Sequence, residues 1–62
     1  MISINHATQD ELETLLGIGP TKALGIISYR DEYGGFKALE ELTEVKGIGP
    51  ATFAKIKDFI RL

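Results

Sequence analysis

Gly17-Ile18-Gly19-Pro20 and Gly47-Ile48-Gly49-Pro50 are the same four residues, thirty positions apart in a chain of 62. Glycine lets a backbone turn with positive φ and, lacking Cβ, lets another molecule approach the main chain closely. Proline next in line suits the first position of a helix, where its missing N–H loses no partner. The free N–H groups of a helix begun in this way point outward at the turn, and the macrodipole adds about half a positive charge there. The chemistry expected of such a turn is anion binding by backbone, phosphate above all. Taken singly, the pattern also serves as a plain helix stop before a proline-started helix. Duplication, with Ile18 and Ile48 kept between the glycines, favours a shared task, although common descent alone would also preserve it.

The other chemistry-bearing residues form no constellation. His6 is the only histidine, and with no second ligand nearby it reads as a surface or capping residue. Glu40-Glu41 and Asp31-Glu32 are adjacent pairs; neighbours in a helix point in different directions, so they read as solvated faces rather than acid–base couples. Neither GIGPTK nor GIGPAT ends in the Gly-Lys-Ser/Thr of a nucleotide-binding loop, and no strand precedes either. Tyr29, Tyr33, Phe36, Phe53 and Phe59 recur at spacings that suit the core or its edge better than base stacking. Nothing points to an enzyme.

Elements must hold the two turns in place, and the two halves align at an offset of thirty: Glu11-Leu12 on Glu41-Leu42, Leu15 on Val45, Ile26 on Ile56, Tyr29 on Phe59. This is an internal duplication of one helix–turn–helix unit. Thr8-Gln9-Asp10-Glu11 is a capping box that starts a short helix running to about Leu15, with Leu12, Leu15 and Leu16 on its inner side. A second helix is expected from Pro20 to about Tyr33, carrying Ala23, Ile26, Ile27 and Arg30 at helical spacing and closed by Gly34. Gly34-Gly35-Phe36-Lys37 connects the units, with Phe36 tucked into the core. A third helix is expected over about Leu39–Val45 and a fourth from Pro50 to about Ile60, burying Phe53, Ile56, Phe59 and Ile60. Ala38 stands where Ser or Thr would cap the third helix, at a cost of about 1 kcal/mol. Ile2-Ser3-Ile4-Asn5 alternates briefly and, having no partner strand, is expected as an extended arm on the helices. The fold class is therefore all-α, one domain over 1–62, with the first motif at about 8–33, the connector at 34–37 and the second motif at about 38–62.

A chain of this size buries only about 60% of the surface its unfolded form exposes, which leaves room for a small core and none for a catalytic domain. It has no cysteine, so apolar packing alone supplies perhaps 3–5 kcal/mol of stability. No apolar run approaches the roughly 18–20 residues of a membrane span. Met1-Ile2-Ser3 has neither the charged nor the apolar region of a signal peptide. The expectation is a soluble, monomeric domain without membrane contact, standing alone or cut from a longer chain. A net charge of −2 argues against a polybasic nucleic-acid binder. Residues 1–33 carry five acidic against two basic side chains and residues 34–62 five basic against four acidic, so any grip on an anion must rest on more than bulk charge.

Two such turns suit one partner in particular. Units related by a pseudo-twofold axis would place both helix N-termini on one face, and duplex DNA presents two antiparallel phosphate strands related by its own dyads. That pairing predicts contact to both backbones and little base reading, because phosphates position a protein without carrying sequence information.

Leu15-Leu16-Gly17-Ile18-Gly19-Pro20-Thr21-Lys22-Ala23 and Leu42-Thr43-Glu44-Val45-Lys46-Gly47-Ile48-Gly49-Pro50-Ala51-Thr52 resemble helix-hairpin-helix motifs. With Ile4-Asn5-His6-Ala7-Thr8 before them and Ile27-Ser28-Tyr29-Arg30 and Gly35-Phe36-Lys37 between them, nearly the whole chain is similar to the tandem helix-hairpin-helix domains of ComEA-type competence proteins. The resemblance implies a tandem helix-hairpin-helix, (HhH)2, SAM-like compact bundle of four main helices. It implies non-sequence-specific binding of double-stranded DNA, in DNA uptake, with an extracytoplasmic or periplasmic setting for the full-length protein. Carried over by position, the amide donors are Gly17, Gly19, Thr21 and Lys22 in the first hairpin and Gly47, Gly49, Ala51 and Thr52 in the second, with Ile18 and Ile48 at the turns and Lys46 beside the second. Some members hold a monovalent cation such as K+ or Na+ on hairpin carbonyls, bridging to phosphate; the matching carbonyls are those of Thr43, Val45 and Ile48.

The chain departs from that pattern in having Thr21-Lys22 and Ala51-Thr52 where related hairpins are richer in lysine. Weaker binding and a shallower salt dependence follow, since the slope scales at about 0.9 per neutralised phosphate, with Lys22, Lys46 and Lys55 left to help. The rival of another class is a protein–protein or scaffold module that kept the fold and lost the phosphate grip, for which the acidic balance is the best evidence. A third is a targeting domain attached to a nuclease or other DNA enzyme.

Overall fold

Apolar residues at every third position organise both halves. Leu12, Leu15 and Ile18 in the first and Leu42, Val45 and Ile48 in the second are all buried. Their amides bond three residues back: Leu15 to the Leu12 carbonyl, Ile18 to that of Leu15, Val45 to that of Leu42, and Ile48 to that of Val45, at 3.0–3.1 Å. Three residues per turn is the 3-10 geometry, which puts i and i+3 on one line. In this computed structural model, which describes all of residues 1–62, the pattern explains two departures from expectation. Helix α1 covers only Gln9–Glu13 before tightening, and the expected third helix is a 3-10 helix, Leu39–Glu44. Leu16, expected on the inner side, is 68% exposed because it falls one residue off the 12-15-18 line.

The capping box forms as read: Thr8 Oγ1 accepts from the Glu11 amide at 3.2 Å, and Glu11 Oε1 accepts from the Thr8 amide at 2.9 Å. Helix α2 spans Pro20–Tyr33 and ends on Gly34 in the left-handed conformation, φ 73°. The second unit lacks the cap oxygen at Ala38 and keeps the return half, with Glu41 Oε1 accepting from the amides of Lys37 and of Ala38.

Helix α3 covers Pro50–Ile56, shorter than expected, and continues as a single 3-10 turn, Lys57–Phe59. The chain then extends. Ile60–Arg61, strand β2, pairs in parallel with β1, Ile2–Ser3, in the register Ile2 to Ile60 and Ser3 to Arg61. The N-terminal arm thus has the partner strand that the sequence did not reveal. Two residues are too few to display alternation, and the partner lies at the far end of the chain. Successive residues of extended backbone face opposite ways, so Ile60 is buried while Phe59 beside it is 62% exposed, against the expected burial of both. Ser3 Oγ donates to the Leu62 carbonyl at 2.7 Å and the Ile4 amide to that of Arg61 at 2.8 Å, closing the termini on each other.

The core draws on both halves in matched pairs, Leu12 with Leu42, Leu15 with Val45, Ile18 with Ile48 and Ile26 with Ile56, joined by Ile4, Phe36 and Ile60. Each such side chain contributes about 1.5–3 kcal/mol of burial before the entropy of ordering is subtracted. Phe36 is buried as expected, with Tyr29 stacked on it at 4.7 Å between centroids. Tyr33 packs on Tyr29 at 4.5 Å yet leaves more than half its surface in solvent. The architecture is all-α in its main elements, helices around one core with a two-residue clasp at the termini.

Candidate nucleic-acid interface

Each Gly-Ile-Gly-Pro turn divides its work between its glycines. Gly17 and Gly47 take φ of 79° and 91°, the left-handed region in which a side chain is strained. Gly19 and Gly49 do not, although positive φ was expected of Gly19 too. They sit at φ −94° and −99° in extended backbone, as the N-caps of α2 and α3. A Cβ on either would meet no atom within 4 Å. The fold itself therefore gives no steric reason for glycine at 19 or 49, and at an N-cap Ser, Asn or Asp would serve at least as well.

The middle residue has a different job. Ile18 and Ile48 are buried, 4% and 2% exposed, and plug the turns into the core. Packing accounts for their repetition, and their side chains are out of reach of a ligand. As site residues they offer only backbone.

Backbone is what the turns expose. Ala23 N–H bonds to the Gly19 carbonyl and Phe53 N–H to that of Gly49, both at 3.0 Å, so helical bonding begins at those residues. The amides of Gly17, Gly19, Thr21 and Lys22, and those of Gly47, Gly49, Ala51 and Thr52, donate to no group in the protein. Proline at the first helical position removes the one donor that would have stood between them. Fourteen residues of α2 give the first hairpin a substantial dipole, whereas α3 has seven, so the second relies on the amides themselves.

Three lysines surround this backbone, each placed differently. Lys46 is exposed next to Gly47. Lys22 Nζ donates to the Gly17 carbonyl at 3.3 Å, and its stem runs 3.4 Å from where a Cβ on Gly47 would stand, which sets the two turns side by side. Lys55 lies with Leu15, Leu16 and Phe59 along an apolar groove, beside the lead into the first turn rather than its own. Gly25 was missed in the sequence: a Cβ there would come within 3.0 Å of Val45 Cγ1, so its absence lets α2 close on the lead into the second hairpin. A glycine inside a helix that has no turn to make was the available signal.

The carbonyls of Thr43 and Ile48 accept no bond within the protein, while that of Val45 accepts from the Ile48 amide. An all-oxygen set of this kind matches a hard cation in donor type. His6 is exposed at the edge of a polar recess with Asn5, Arg30 and Asp31, and no three His, Cys, Asp or Glu side chains gather anywhere in the chain. No helix is long and apolar enough to cross a membrane.

A family-wide sequence model described as "Helix-hairpin-helix motif" matches residues 1–61. Among curated proteins, "ComE operon protein 1" of Bacillus subtilis is 48% identical over 60 residues, which are 97% of this chain and 29% of that protein. An "Uncharacterized protein" of Haemophilus influenzae is 47% identical over 95% of this chain and 54% of its own length. "Endonuclease/exonuclease/phosphatase family domain-containing protein 1" of Xenopus laevis is 43% identical over 90% of this chain and 10% of its own. The chain thus spans between a tenth and about half of these relatives.

Proposed function

The chain belongs to the helix-hairpin-helix family, and from that premise we propose that it binds double-stranded DNA without sequence preference, through the free hairpin amides to phosphates of both strands. The observation that carries this reading is the state of Gly19 and Gly49: ordinary φ, and open space where a Cβ would be, in both copies. Absence of a side chain there benefits a molecule outside the fold. Four unpartnered amides per turn are donors in search of an acceptor that carries none of its own, and a phosphate oxygen is such an acceptor. Lys22 and Lys46 add charge at the seam and at the second turn. Catalysis is not part of the proposal. The relative from Xenopus laevis with nuclease in its name shares only a tenth of its length with this chain, and the relation to the ComE operon protein supports a role in DNA uptake. A monovalent cation on the carbonyls of Thr43, Val45 and Ile48 would add a further bridge to phosphate at the second hairpin.

The test replaces both N-cap glycines by serine, Gly19→Ser with Gly49→Ser. Serine is favoured at an N-cap and its Oγ would accept from an amide of the first turn, so thermal stability should hold while the donors are occupied and the approach is obstructed. Fluorescence anisotropy with two unrelated duplexes should show equal binding of both by the wild-type chain and at least tenfold weaker binding by the variant. A scaffold module would show negligible duplex affinity in the wild type already, and a strong preference for one duplex would contradict backbone reading.

A further inference from the structure

We propose that Lys22 is a bridge that makes the two hairpins one binding unit, an inference that rests on the DNA reading and deepens it. Lys22 belongs to the first hairpin by sequence, as the third residue of α2. Its ammonium returns to that hairpin's own turn, donating to the Gly17 carbonyl at 3.3 Å. Between backbone and ammonium the methylenes cross to the other unit: on the Gly47 side, Cε, Cγ and Cδ of Lys22 lie 3.4, 3.6 and 4.0 Å from the position a Cβ would occupy. One side chain therefore touches both positive-φ glycines, 17 and 47, the residues on which each turn pivots.

Two consequences follow from the chemistry of that side chain. An ammonium has three donor hydrogens; with one on the Gly17 carbonyl, two remain for oxygens arriving at the seam. The charge stands between the turns, so it serves a phosphate held by either. The stem contributes separately by filling the space that Gly47 leaves open, as long charged side chains do along apolar surface. Nothing duplicates this arrangement, because the position thirty residues on is Thr52, which has neither the reach nor the charge. The tandem is symmetric in its amides and asymmetric in its bridge.

Charge and stem are separable by substitution at the surface. Lys22→Met keeps an unbranched stem and removes the ammonium, Lys22→Ala removes both, and Lys22→Arg keeps a charge. In duplex binding measured across salt, Lys22→Met should lower the log–log slope by about 1 and weaken binding roughly eightfold at ~0.1 M salt, while Lys22→Arg should keep the slope. Lys22→Ala should weaken binding further than Lys22→Met. In nitrogen–proton correlation spectra of the free protein, Lys22→Ala should shift the amides of Gly47 and Gly49 across the seam, and Lys22→Met should leave them close to wild type. Gly47 and Gly49 amides unmoved in Lys22→Ala, or a wild-type slope in Lys22→Met, would overturn the bridge while leaving the proposed function intact. Absence of any duplex binding by the wild-type chain would overturn both.

Discussion

Asn5 and Phe36, thirty-one residues apart, exchange a reciprocal pair of hydrogen bonds: Asn5 Nδ2 donates to the Phe36 carbonyl at 3.0 Å and the Phe36 amide donates to Asn5 Oδ1 at 2.6 Å. A side-chain amide here satisfies both backbone groups of a connector residue whose ring is buried. Arg30 reinforces the same junction by donating to the Ile4 carbonyl at 3.1 Å. The arm is thereby fastened to the point where the two units meet.

Asn5→Ala leaves the Phe36 amide and carbonyl without partners at a part-buried site. Each unsatisfied group costs about 1–3 kcal/mol, so we expect a loss of about 2–4 kcal/mol in urea unfolding, most of what a chain of this size has. Asn5→Asp retains the acceptor for the Phe36 amide and should lose less. Equal losses for the two variants would show that the acceptor contributes nothing.

Glu41 joins the same region by electrostatics. The amide of Lys37, then that of Ala38, hold its carboxyl below the ordinary value, and its other oxygen accepts from Tyr29 Oη at 3.2 Å. A carboxyl lowered on folding contributes stability that is fully present above its ordinary pKa and is lost as pH falls through the folded one. Unfolding measured from neutral to acid pH should therefore show a flatter acid limb in Glu41→Gln than in wild type. Parallel profiles would contradict the assignment.

Tyr29 behaves oppositely. Desolvation first, and the bond to Glu41 second, raise its pKa, so its contribution is complete below the ordinary tyrosine value and disappears as pH rises through the raised one. Tyr29→Phe removes the hydroxyl and keeps the ring on Phe36, and the alkaline loss of stability seen in wild type should be absent from it. A variant that loses stability in alkali as steeply as wild type would show that another group is responsible.

Within each hairpin the two glycines should fail in different ways. Gly17→Ala or Gly47→Ala forces a side chain into the left-handed region and should cost about 1–2 kcal/mol. Gly19→Ser or Gly49→Ser should change stability by no more than about 0.5 kcal/mol, since φ is ordinary and the space is open. Thermal unfolding of the four single variants checks this, and equal costs at both positions would remove the division of labour.

Ala38 is the N-cap of the Leu39–Glu44 segment and has no side-chain bond. Its backbone is already extended, φ −146° and ψ 149°, so Ala38→Ser should add about 0.5–1 kcal/mol without affecting duplex binding. An unchanged unfolding midpoint would mean that the 3-10 turn offers the hydroxyl no amide.

Much of the molecule was legible along the chain because it is built from local rules. The Thr8–Glu11 box, the span of α2, its Gly34 cap and the burial of Phe36 each depend on residues within a few positions of one another. The reading failed where geometry was set at a distance. Leu16 and Phe59 are as apolar as any core residue, yet they face solvent, one because the turn tightened to three residues and the other because the chain became a strand. The site was half legible. The glycines and the following amides could be named, but Gly17 and Gly19 read alike until their φ values separated them, and Ile18 and Ile48 were counted with the ligand contacts although the core claims them.

What the sequence by itself determined is the duplication and everything that follows from period and punctuation: two turns, two proline-started helices, apolar residues at matching places, and the family. Those features are local, and a chain must carry them in order. Only the tertiary structure decided how the two copies meet. Whether Ile60 finds Ile2, whether Gly25 admits Val45, and whether the Lys22 stem lies on Gly47 depend on residues 20 to 58 positions apart. Contacts at that separation are selected by the packing of the whole core, which no spacing along the chain records.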